Sequence, residues 1–215
     1  FSSSCMALNC LTSRFKEKRN EVGGSNINKA VFLDRDGVIN KNVFYADSNE
    51  WESPRNISDF YLLDNVIDSL SLLQDNNFLL FIVTNQPSYA KGKTSLEELK
   101  EILEYTKSLL SNNDINIIDI YCSFKHKDSI YKDFLTPCRY RKPEIQSLID
   151  SKKKYNVNLK DSWFIGDRDT DIECGKNGGT RTIKINQIGE KNNSQADYNV
   201  KDLKEASQII LSHKS

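Results

Sequence analysis

The sequence predicts a doubly wound α/β domain: a mainly parallel sheet with helices on both faces. Three observations lead there. Strand-like runs recur at 30–33, 78–83, 115–124, 162–165 and 180–185, with Tyr198-Asn199-Val200 as a candidate sixth, and the most apolar of them, 30–33 and 78–83, are as expected of strands buried on both faces. Between them lie segments whose apolar residues repeat at helical spacing. Several of the runs stop abruptly in polar residues, and in open parallel sheets ligands bind beyond the carboxyl ends of the strands.

The first run, Ala30 to Leu33, ends in Asp34 and Asp36 followed by Gly37. Two carboxylates beside a glycine that frees the backbone to turn can hold a cation, or pair a nucleophile with a proton carrier. Lys41 to Asn56 lacks periodicity and is rich in Asn, Asp, Ser and Pro, so it reads as a surface loop over those aspartates, with Tyr45, Trp51 and Arg55 as candidate contacts. Val66, Ile67, Leu70 and Leu73 define one amphipathic helix, which Asn76-Asn77 ends. The second run delivers Thr84-Asn85-Gln86-Pro87 to the sheet edge. Thr94 and Glu97 read as the capping box of the next helix, with Leu99, Ile102, Leu103 and Leu110 on its buried face. After the third run, a polar loop carrying His126 and Cys138 leads to Arg141-Lys142-Pro143. Proline is favoured in a first helical turn, so Pro143 is expected to open the helix of Ile145, Leu148 and Ile149. The fourth run continues into Gly166-Asp167-Arg168-Asp169-Thr170-Asp171, where Asp167 and Asp171 can face the same edge. Gly178-Gly179 closes a short helix, and Asp202 caps a final one through Leu211.

The chain has 215 residues, with 30 basic and 30 acidic side chains. Zero net charge and no basic stripe argue against a nucleic-acid partner. Five scattered cysteines in a chain of this size fit a reducing, cytoplasmic setting better than a disulfide scaffold. No apolar run approaches the roughly 20 residues that span a bilayer, so no membrane partner is expected. Residues 1–28 read as a leader, a linker or the remnant of an upstream or fused domain, and 29–215 as the functional domain.

Four successive polar clusters therefore converge on one edge: Asp34/Asp36, Thr84/Asn85, Arg141/Lys142 and Asp167/Asp171. This set resembles the four motifs of the haloacid dehalogenase superfamily of phosphohydrolases. Phe32-Leu33-Asp34-Arg35-Asp36-Gly37-Val38-Ile39-Asn40 together with Thr84-Asn85-Gln86 is similar to its heptose-bisphosphate phosphatase and histidinol-phosphatase branch. The resemblance covers roughly residues 29–190.

It implies a Rossmann-like core and Mg²⁺-dependent hydrolysis of a phosphomonoester, most simply a small phosphorylated sugar, through an aspartyl-phosphate. Asp34 would be the nucleophile, Asp36 the general acid and base, and Lys142 a fixed positive charge orienting Asp34. Thr84 and Asn85 would donate to the phosphoryl group. Mg²⁺ would lie between Asp34, the backbone carbonyl of Asp36 and Asp167, with Asp171 holding Lys142 or the waters on the metal. Arg141 matches the family position for a substrate-phosphate contact, and Lys91 can meet a distal phosphate as a point charge.

Three departures from the family pattern are visible. Its structural zinc loop is reduced here to Cys122, His126 and Cys138, with Tyr140 at the last cysteine position; three candidates fall short of the usual four ligands, so zinc is not expected. The usual Gly-x-Ala-Arg-Gly stretch reads Ser88-Tyr89-Ala90-Lys91-Gly92, and the loop from Lys41 to Asn56 is longer than usual. The segments between motifs are too short for a large inserted cap domain. Histidinol phosphate or another small monoester, and a non-catalytic module that binds a phosphorylated ligand, are the alternative readings.

Overall fold

The computed structural model describes residues 10–12 (backbone alone), 27–186 and 194–213. Among the described residues nine strands form in chain order: β1 (Cys10–Thr12), β2 (Lys29–Leu33), β3 (Val43–Tyr45), β4 (Glu50–Glu52), β5 (Phe78–Asn85), β6 (Ile117–Ser123), β7 (Trp163–Gly166), β8 (Arg181–Ile185) and β9 (Tyr198–Val200). The helices are α1 (Val66–Asp75), α2 (Leu96–Ser111), α3 (Gln146–Tyr155), α4 (Asp169–Gly178) and α5 (Leu203–Ser212). Seven strands build the main sheet in the order β1-β6-β5-β2-β7-β8-β9. Every pairing in it is parallel except that of β1 with β6.

Alternation along the strands divides the core in two, because successive side chains point to opposite faces. Val31, Leu33, Leu80 and Ile82 pack with Val66 and Leu70 of α1, Leu99 and Ile102 of α2, and Leu203 and Ile210 of α5. Ala30, Phe32, Phe81, Val83 and Phe164 pack on the other side with Leu148 of α3 and Cys174 of α4. Phe32 stacks on Phe81 and Phe164, with centroids 5.1 and 6.2 Å apart. The doubly wound sheet is thus the one the sequence predicts, and β2 lies at its centre.

Four local features differ from expectation. The segment 41–56 contains a hairpin, β3–β4, pairing Phe44 with Trp51 and Tyr45 with Glu50. The capping box of α2 lies one residue later, with Ser95 accepting from the Glu98 N–H; Thr94 instead donates to Glu98 and to the Arg55 carbonyl. Pro143 follows a cis peptide bond, and α3 begins only at Gln146. Residues 10–12, within the segment set apart at the N-terminus, add the antiparallel edge strand; of residues 1–28 only these and 27–28 are described. Asp202 caps α5 as anticipated, accepting from Glu205 N–H at 2.8 Å.

Leu70 is wholly buried against the central strands. Leu70→Ala is expected to cost about 2–5 kcal/mol, read as a lower urea midpoint at unchanged slope.

Candidate active site

The site exists because β2, β5 and β7 run in parallel and in register: Leu33 lies opposite both Ile82 and Ile165. Whatever follows each strand therefore emerges at one edge. Asp34 continues the ladder, its N–H donating to Ile165 O at 2.9 Å. The chain then turns, with Gly37 at φ +80° and the Ile39 and Asn40 N–H groups donating to Arg35 O. A β-carbon on Gly37 would lie 2.2 Å from Asp167 Oδ2, so only glycine lets that carboxylate approach.

Lys142 ties the edge together. Its Nζ lies 2.7 Å from Asp34 Oδ1, 2.7 Å from Asp171 Oδ1 and 2.7 Å from Val83 O, and the residue is buried. Burial disfavours the ammonium, but the Asp171 and Asp34 carboxylates outweigh it and hold its pKa above the usual range. Asn85 clasps the same residue by its backbone: its Oδ1 accepts from Lys142 N–H and its Nδ2 donates to Lys142 O, both at 3.1 Å. The Asn85 amide, expected to face a phosphoryl group, thus also positions Lys142, through its oxygen and one of its two N–H donors. Thr84 is fully buried at the end of β5 and accepts from Gln86 Nε2 at 2.8 Å.

Asp36 is caged. Its Oδ1 accepts from Arg35 Nε and Nη2 at 3.2 and 2.9 Å and from Asn40 Nδ2 at 2.9 Å. Its Oδ2 accepts from Arg35 Nη2 at 3.1 Å and Gln86 Nε2 at 2.6 Å. Burial raises the carboxyl pKa, but the Arg35 guanidinium and these donors bring it below the ordinary value, so Asp36 rests as a carboxylate. Sequence reasoning missed Arg35 and Gln86. Both flank motif residues, and an arginine between two aspartates was a legible signal.

Asp34, Asp167 and Asp171 can each offer an oxygen, all within 4.8 Å of one another, and all three are buried. Desolvation and the neighbouring Asp171 charge, opposed by Lys142, push Asp34 up to about 8. Desolvation and Asp171 push Asp167 to about 6. A site with this surplus of buried negative charge and only oxygen donors fits a hard divalent cation such as Mg²⁺. Asp171 Oδ2 also accepts from Arg168 N–H at 3.0 Å. Both of its oxygens thus already serve Lys142 and the start of α4.

The zinc candidates do not assemble. Cys122 lies in β6 within the core, its thiol pushed up to about 12 by burial. His126 is in the following loop, its Nδ1 accepting from Asp128 N–H at 3.1 Å. Cys138 is disulfide-bonded, contrary to the expectation of reduced thiols, and in that state offers no thiolate. Tyr140 stacks on Tyr121 at 6.0 Å and donates to Asp150 at 2.6 Å, a packing role at the family's cysteine position.

Beside the aspartates lies a cleft of about 380 Å³, bordered by Trp51, Asn85, Ser88, Lys91 and Arg168 among others. Arg141 is not among its lining residues. One of its nitrogens donates to Lys125 O at 2.7 Å, and burial with the nearby Arg168 charge lowers its pKa.

Residues 33–215 match the family described as polynucleotide kinase 3 phosphatase. The chain belongs to that family. It is 32% identical over 178 residues to the D-glycero-alpha-D-manno-heptose-1,7-bisphosphate 7-phosphatase of Campylobacter jejuni, covering 82% of this chain and 92% of that one. It is 31% identical over 151 residues to the corresponding enzyme of Photorhabdus laumondii, covering 70% and 78%. Among solved structures, a HAD-like phosphatase from Mesorhizobium loti superposes with a TM-score of 0.75 at 19% identity, covering 95% and 94% of the two chains. D,D-heptose 1.7-bisphosphate phosphatase from B. bronchiseptica, complexed with magnesium and phosphate, superposes at 0.69 and 18% identity, covering 86% and 99%. The resemblance to haloacid dehalogenase phosphatases is borne out, and this member of the polynucleotide kinase 3 phosphatase family is a phosphatase with the HAD-like fold. Among its described residues no helix is long and apolar enough to cross a membrane.

Cation binding to this site must displace protons from the raised carboxyls. Mg²⁺ affinity, measured by titration calorimetry, is therefore expected to weaken as pH falls below about 8, by about tenfold per unit for each proton displaced.

Proposed function

We propose that the protein is a Mg²⁺-dependent phosphomonoester hydrolase acting through an aspartyl-phosphate. Its preferred substrate is a small sugar bisphosphate of the D-glycero-D-manno-heptose 1,7-bisphosphate type, from which it removes the 7-phosphate. The observation that carries this reading is Asp34 held by Lys142 within reach of Asp167, with Asp36 two residues on and Thr84 at the neighbouring strand end.

In this reading Asp34 attacks phosphorus. Its Oδ1 is engaged by Lys142 and by the Arg35 N–H at 2.7 Å, while Oδ2 makes no hydrogen bond among the described residues and is the attacking oxygen. The bond from phosphorus to the leaving oxygen breaks, and Asp36 in its acid form supplies the proton to that alkoxide. Water then attacks phosphorus, Asp36 takes its proton, and Asp34 is released. The caged carboxylate is ready for the second step. For the first, Asp36 must break its bonds to Arg35 and Gln86 and carry a proton. The Thr84 hydroxyl, which can still donate, and Lys142 offset charge on the phosphoryl oxygens. Mg²⁺ would be held by Asp34, Asp167 and the Asp36 carbonyl and would supply positive charge at those oxygens, while Asp171 keeps Lys142 in place.

The substrate class rests on the relatives' activities and on the cleft. Lys93 is paired with Glu50 and Glu52, whereas among the described residues Lys91 makes no ion pair and the Arg168 side chain makes one, long, to Asp167 at 4.0 Å. Lys91 and Arg168 on the cleft wall therefore leave positive charge for a second phosphate, and Arg141 lies close enough to Arg168 to reinforce it.

Phosphate release should be measured with and without Mg²⁺ from heptose bisphosphate, histidinol phosphate and a 3′-phosphorylated oligonucleotide. The bisphosphate is expected to be the best substrate, and Asp34→Asn to lose at least about 10³-fold in kcat on it. Preference for the oligonucleotide would overturn the substrate class, and near-normal turnover by Asp34→Asn would overturn the mechanism. Lys91→Ala is expected to raise KM for the bisphosphate by about tenfold or more with kcat little changed.

A further inference from the structure

Trp51 is a large aromatic side chain left outside the core. It is 68% exposed at the middle of β4, yet it borders the cleft together with Asn85 and Arg168. Its ring partner is Phe44, directly opposite on β3 with centroids 5.7 Å apart, and Phe44 is itself 47% exposed. A lone exposed aromatic would be unremarkable. Two that brace each other outside the core, one of them on the wall of a cleft shared with Asn85 and Arg168, are a different matter.

The hairpin is held by charge rather than by an apolar core. Arg55 pairs with Asp47 and Glu52 and lies over the Tyr45 ring at 4.0 Å. Tyr45 donates to Asp59 at 2.5 Å. Lys93 reaches back to Glu50 and Glu52. Lys93 stands two residues after Lys91, so the latch that fixes the hairpin also fixes the distance from Trp51 to the loop carrying Lys91. Glu52, nearly buried, joins both halves. Such a network costs desolvation and side-chain freedom; holding an indole beside the cleft is what it achieves.

We propose that Trp51 is a specificity-determining platform on which the apolar C–H face of a pyranose ring in the leaving group stacks while Lys91 and Arg168 meet a second phosphate. This rests on the phosphatase reading above and adds to it the part of the substrate that is recognised as a ring. An acyclic phosphate has no such face and gains nothing from Trp51.

The test compares glucose 1,6-bisphosphate with glycerol 3-phosphate. In Trp51→Ala the ratio of kcat/KM for the first over the second is expected to fall about three- to tenfold, through KM, with Trp51→Phe recovering most of it. Equal loss on both substrates, or an unchanged ratio, would overturn the platform, since a purely structural residue moves both alike. A second readout needs no turnover. Of the two tryptophans, Trp163 is buried, so acrylamide quenching reports chiefly Trp51. Glucose 1,6-bisphosphate should protect the fluorescence and glycerol 3-phosphate should not; no protection by the ring compound overturns the proposal. Failure of every phosphate to be hydrolysed would instead overturn the phosphatase reading, while quenching still decides Trp51.

Discussion

The ammonium of Lys142 is the constraint on which the site depends. Three buried carboxylates cannot share one sheet edge without a counter-charge. Lys142 supplies it, touching Asp34 and Asp171 while anchoring on the Val83 carbonyl of β5. Nothing in its own loop would hold it there. The Asn85 amide fixes its backbone, and Asp171 is fixed in turn by the Arg168 N–H at the start of α4. Three strand ends and the segment before α3 are thereby locked to one another. Removing one partner would leave the remaining charges buried and uncompensated, the costly case for such clusters.

That arrangement divides labour between two aspartates that are neighbours in sequence. Asp34 is desolvated, faces other acids and is pushed upward, so that it favours a cation and a proton alike. Asp36 faces Arg35, Asn40 and Gln86 and is pulled down. Arg35, wholly buried and bidentate on Asp36, is the main reason for the difference. Gln86 links the caged carboxylate to Thr84, so a ligand that engages Thr84 acts on the same hydrogen-bond chain that restrains Asp36.

Much of this was legible in the sequence. Apolar runs located the central parallel strands β2, β5 and β7 because these are buried on both faces, and the polar residues that ended them marked the site. The hairpin was not legible. Its strands are three residues each, rich in Glu and aromatic residues, and stabilised by Arg55 and Lys93 rather than by an apolar face. Nor does the sequence show that the Asn85 amide meets the Lys142 backbone 57 residues away. The capping box misread by one position reflects two adjacent hydroxyl residues, Thr94 and Ser95, that both reach Glu98.

The central claim is that Asp34 becomes covalently phosphorylated. Acid-quenching the enzyme during turnover of a ³²P-labelled substrate with Mg²⁺ tests it most directly. The account predicts radiolabel on the protein, released by hydroxylamine as an acyl phosphate requires, located by mass spectrometry at Asp34 and missing from Asp34→Asn. Rapid turnover with no label on the wild-type protein, or label that persists in Asp34→Asn, would contradict it.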